Sequence, residues 1–185
     1  MTRSAWVYGA LIVCVLAASG CATVEKVLPF AGSRETRARN EGYSLLYRLM
    51  SQESDAGKLL AIKHAPSQVA DLVNGIASTC GQAKKELELF HEKDRHLNLE
   101  MTNLPEIEQK TRAAIESTET KQLLFSSGKK FEVRFLFTQA QAMNYAAHLA
   151  QVLHDQEDNP DRKKSLATLS ERCAVLHDRA MDLLK

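Results

Sequence analysis

From Pro66 onward, apolar residues return along the chain at alternating steps of four and three. Val69, Val73, Ile76, Cys80, Ala83, Leu87 and Phe90 form one unbroken seam, the spacing that keeps a single face of an α-helix apolar over about thirty residues. Pro66 suits the first turn of that helix, where its missing N–H leaves no hydrogen bond unmade. A second helix is expected from Asn103, which stands three residues before Glu106 as in a capping box, through Ile107, Ala114, Ile115, Leu123 and Phe125 to a stop near Gly128. A third runs from Lys130 to His154, with Phe131, Phe135, Thr138, Ala142, Tyr145, Leu149 and Val152 in register. The fourth opens on Asn159-Pro160, an N-cap followed by proline at the first helical position, and carries Leu166, Leu169, Cys173, Leu176, Ala180 and Leu183.

Ahead of these, Tyr43, Leu46, Tyr47 and Met50, then Leu59, Leu60 and Ile62, read as one or two shorter helices broken at residues 54–57. No stretch alternates with the period of two that a half-buried strand requires. The pattern predicts an all-α chain, an antiparallel up-down-up-down four-helix bundle with additional short N-terminal helices. The third helix is apolar on more than one face, since it also carries Leu136, Phe137, Ala140, Met143, Ala146, Ala147 and Ala150. A surface that wide needs a cover, and residues 43–62 are expected to pack across it.

The first twenty residues follow a different pattern. Arg3 precedes an apolar run over residues 5–18 that ends on Ser19-Gly20-Cys21. The run is too short to cross the ~30 Å hydrocarbon core of a bilayer and suits the apolar region of a signal peptide. The tetrad Ala18-Ser19-Gly20-Cys21 resembles the lipobox of bacterial lipoproteins, with Ala18 in place of the family's usual leucine. The resemblance implies cleavage after residue 20, lipidation of Cys21 and acyl chains that hold the protein to a membrane. Residue 22 is Ala rather than Asp, which in Gram-negative lipoproteins implies the periplasmic face of the outer membrane. The expected organisation is a signal peptide over 1–20, the lipidated cysteine with a tether around Pro29 and Gly32 over 21–40, and the bundle over 41–185.

Charge adds an exclusion. Arg3 is the only charged residue before Cys21, and the rest balances Lys and Arg against Asp and Glu, so the chain offers no electrostatic footprint for nucleic acid. Its length is one domain's worth. Of the four cysteines, Cys14 leaves with the signal and Cys21 carries lipid. Cys80 and Cys173 then lie near mid-helix on the seams of the first and fourth helices, antiparallel neighbours in the expected topology, and form a candidate disulfide in an oxidising compartment.

Catalytic motifs are thin. Glu88 and His91 make one Glu-x-x-His pair, through which the chain distantly resembles ferritin-like four-helix bundles, and the resemblance implies a reduced metal site drawn from Glu88, His91, Glu132 and His177. The pattern stops there: His148 and His177 are preceded at the glutamate position by Tyr145 and Ala174. At ~100° per residue Glu88 also falls off the apolar seam. There is no haem-attachment, phosphate-loop or nucleophile-elbow motif. A phosphotransfer role for His148 belongs to the cytoplasm, which a signal peptide leaves behind. His64, His96 and His154 sit near expected helix ends as solvated groups. Phe125, Phe131, Phe135, Phe137 and Tyr145 read as core, with a ligand-lined interior as the alternative. The expectation is a protein with no catalytic residue, metal or cofactor. It is a lipid-anchored periplasmic bundle that binds an envelope protein, as a component or pilotin-like accessory of an envelope complex. The alternatives are a ferritin-like metalloprotein and a carrier of a small apolar ligand.

Overall fold

The computed structural model describes residues 34–60, 62–100 and 104–185; the apolar run, Cys21 and Asn103 lie outside them. The regular structure of the described residues is helical throughout: α1 Arg34–Glu53, α2 Gly57–Leu60, α3 Ser67–Lys93, α4 Glu106–Phe125, α5 Gly128–Gln156 and α6 Pro160–Leu183.

Helices α1, α3, α6 and α5 close a ring, each packed on the next and α5 back on α1. Cross-contacts fix their directions. Along α1 and α3, Asn40 donates to the His96 carbonyl at 2.8 Å and Tyr47 donates to Glu88 at 2.7 Å, so the two are antiparallel. Arg172 reaches Gln82 and Ser165 reaches Glu86 between α6 and α3, again antiparallel. Ser170 donates to the Ala147 carbonyl and His177 meets the Ala140 carbonyl, both at 2.9 Å, between α6 and α5. Gly42 faces Leu153 between α1 and α5. The order along the chain is therefore up, down, down, up, with α4 as the crossover that returns the chain from the end of α3 to the start of α5.

This differs from the expected alternation, and two helices account for it. The segment expected to form short helices supplies a ring member of 20 residues, α1. Its Tyr43, Leu46, Leu49 and Met50 are fully buried against α3 and α5, so the α1 part of the expected cover does pack on α5, whereas α2 packs on α3 and Ile62 is 59% exposed. Because α1 starts at Arg34, the expected tether over 21–40 is helical from there, where Arg39 and Asn40 are held by polar contacts that carry no apolar period.

Helix α4 moves the other way. Of its expected seam only Leu123 is buried, while Ile107 is 74% and Phe125 89% exposed. At ~100° per residue Ile107, Ala114 and Phe125 share one side and Leu123 takes the opposite one, so these residues never formed a stripe. A charged pair ties α4 to α5 instead, between Arg134 and Glu119, while Arg112 pairs with Glu108 within the helix.

The remaining seams match well. On α3 all seven expected residues except the half-buried Phe90 are buried, and on α6 all except the half-buried Leu183. On α5 the buried face drifts after Ala142 to Ala146, Ala150 and Leu153, leaving Val152 in solvent, because a strict seven-residue repeat falls behind the 3.6-residue turn by ~20° per heptad. Small side chains bring backbones together: a Cβ on Gly42 would stand 2.7 Å from Leu153 Cδ2. Asn159 caps α6 as expected, accepting from the amides of Asp161 and Arg162 at 3.0 and 3.1 Å.

Candidate functional site

Two polar clusters interrupt the apolar core. At the end of the bundle where α1 begins, Glu157 closes α5 with a side chain wholly removed from solvent. It accepts from Tyr43 at 2.5 Å, from the amides of Asp158 and Asn159 at 3.0 and 2.9 Å, and from Arg162 at 3.0 Å. Arg162 turns its other nitrogen to Asp94 at 2.9 Å, just past α3. One carboxylate thus ties α1, α3, α5 and α6 together. Burial pushes the Glu157 carboxyl up, but the bonds from Arg162, Tyr43 and the Asn159 amide outweigh it and hold it below the usual range. Burial and the Glu157 bond together raise the Tyr43 phenol far above its ordinary value.

Mid-bundle, the last residue of α1 is an acid inside the core. Glu53 is 1% exposed and burial raises its carboxyl to about 7. Gln139 of α5 lies close enough to ease that shift, yet Glu53 Oε1 and both Gln139 amide atoms complete no well-directed hydrogen bond. Cys80 of α3 and Cys173 of α6 are buried near one another in the same part of the core. Both are free thiols in the structure, so the expected bond between them is not formed in it. Burial lifts Cys80 well above the ordinary thiol value, and the charges of Glu53 and Cys173 add to this; burial pushes Cys173 up to about 12. Thiols held protonated in this way are neither nucleophiles nor good metal ligands.

The four residues of the metal alternative are not brought together. Glu88 accepts from Tyr47 on α1, and His91 Nδ1 meets the Leu97 carbonyl. Glu132 pairs with Lys129 at the start of α5 at 2.7 Å, and His177 spends its Nδ1 on α5 backbone. Among the described residues no three His, Cys, Asp or Glu side chains are grouped so as to hold a metal ion. The aromatic interior is filled, with Phe131 and Phe135 stacked 5.4 Å apart. A cavity beneath α4, lined by Leu45, Leu49, Leu104 and Tyr145 with Arg48, Arg112 and Glu116, measures ≈ 30 Å³, room for about two waters.

Glu53 was visible in the pattern after all. Tyr43, Leu46, Met50 and Glu53 follow one another at steps of three, four and three, which puts an acid on the seam. Gln139 likewise stands four after Phe135. Glu157 gives no such signal, because it lies between helices and its partners are distant in sequence. No family model matches the chain, and no curated protein or solved structure matches it at a significant level.

Proposed function

We propose that this protein is a lipid-anchored, non-enzymatic helical bundle that works on the periplasmic face of the outer membrane by binding an envelope protein. The observation that carries this reading is the apolar run ending in Ala18-Ser19-Gly20-Cys21, a signal whose resemblance to the lipobox makes Cys21 the anchor. The polar interior supports a binding role over catalysis: its strongest cluster joins helices, and its thiols are held inert. The α3–α6 face, opposite the groove that α4 covers, leaves Leu89 and Val175 exposed beside shallow depressions that share Thr79, Gln82 and Arg172. It is the surface this reading assigns to the partner.

Three measurements test this reading. Cys21→Ser releases the domain from membranes or blocks signal processing; a variant that fractionates with the outer membrane like the parent refutes the anchor. Photo-crosslinking in intact cells from position 89 yields a defined envelope protein, and a Val175→Asp exchange on the same face abolishes the adduct. Adducts that persist unchanged in that variant place the partner elsewhere. Stoichiometric iron or manganese in untagged protein overturns the non-enzymatic reading.

A further inference from the structure

The turn between α4 and α5 leaves a phenylalanine almost entirely outside the molecule. Phe125 is 89% exposed, and Ile62, 59% exposed, stands close by. Lys63, the residue after Ile62, donates to the carbonyls of Leu124 and Ser126 at 2.6 and 3.0 Å, which ties the Ile62 segment to the turn. The same ammonium lies 5.9 Å from the centroid of the buried Phe131 ring, so the backbone of the turn is fastened to the core while Phe125 is left out. Gly128, at φ 56°, makes the tight change of direction into α5, a conformation that favours glycine.

Along the chain the charge flanking this knob is of one sign. Between Glu119 and Glu132 the chain carries Lys121, Lys129 and Lys130 and no carboxylate. Glu119 and Glu132 are themselves paired, with Arg134 and Lys129. A convex apolar projection flanked by ammonium groups fits a surface that is negatively charged and deforms around it. A folded protein would have to offer a matching pocket; a bilayer interface accepts a phenyl ring at the headgroup boundary and places phosphates beside the lysines. We propose that the α4–α5 turn is a lipid-contact site that seats Phe125 and Ile62 in an anionic phospholipid surface. It lies at the end of the bundle opposite the start of α1, so it is a contact distinct from an N-terminal anchor and does not depend on one.

The test is local to the turn. Trp6 is the only tryptophan of the chain, so the full chain carrying Trp6→Phe and Phe125→Trp reports from the turn alone. Its emission is expected to shift to the blue and to be quenched by vesicles of anionic phospholipid with brominated acyl chains, and far less by zwitterionic vesicles of the same acyl composition. Adding Lys121→Gln and Lys130→Gln is expected to weaken the anionic-vesicle titration about 25-fold, roughly fivefold for each charge. Unchanged emission with anionic vesicles overturns the proposal. So does equal quenching by both vesicle types, and so does a shift that appears only on adding solubilised envelope protein, which assigns the turn to a protein partner. An unchanged melting temperature of the reporter variant keeps any of these results from being a folding defect.

Discussion

Glu53 works against the fold in which it sits. An ordinary carboxyl of this type titrates at 4.5, whereas burial raises this one to about 7. Below pH 4.5 both states hold the proton and the group is silent. As pH rises from there the unfolded chain releases its proton first, stability falls, and the loss levels off above about pH 7, at a depth on the order of 3 kcal/mol. Glu53→Gln is expected to flatten that slope and to raise stability at pH 8 by about 2 kcal/mol, read from urea denaturation at a series of pH values. A variant that keeps the parent's slope places the titration elsewhere. Glu157 has the opposite sign: its carboxyl is held low, so its contribution is present above the ordinary value and disappears as acid protonates it. Tyr43→Phe removes one charge-assisted bond to it and should lose about 1.5–3 kcal/mol at neutral pH, with a smaller loss once Glu157 is protonated.

The element scale separates α1 from α4, helices of equal length with opposite roles. Leu46 is fully buried between α3 and α5, and Leu46→Ala should lose about 2–5 kcal/mol. Ile107→Ser on α4 removes a side chain already in solvent and should change stability by less than ~0.5 kcal/mol. Native-state hydrogen exchange should rank the two helices likewise, with α4 amides exchanging first; equal protection along both would contradict the peripheral placement. The sequence made the seams of α3 and α6 legible because their apolar positions are single, narrow stripes. It misjudged α1 and α4 for related reasons. The first turns of α1 are polar and docked by Arg39 and Asn40, so they show no period, whereas α4 has enough apolar residues to suggest a seam but places Leu123 opposite Ile107 and Phe125. Polar attachment is specific in three dimensions and silent in one. The Glu157 cluster was hidden for that reason too, since it depends on groups brought together from helices far apart in the chain, whereas Cys80 and Cys173 showed on their seams.

For the whole molecule, the crossover of α4 puts the two ends of the described chain at opposite ends of the bundle. Helix α5, the longest at 29 residues, spans about 43 Å at 1.5 Å per residue, and α1 and α6 run parallel across the ring beside it. Spin labels near residues 37 and 184 should therefore lie roughly 40 Å apart; a distance near ~20 Å would mean that the helices alternate in direction after all. The same arrangement governs how the molecule carries load. If the chain is held at its amino end and pulled at its carboxyl end, the force runs lengthwise, and α1 and α6 must slide past α3 and α5 before either can leave. Sliding breaks many side-chain contacts at once, where prying helices apart sideways breaks them one turn at a time. A bundle threaded in this order resists tension as a lap joint does.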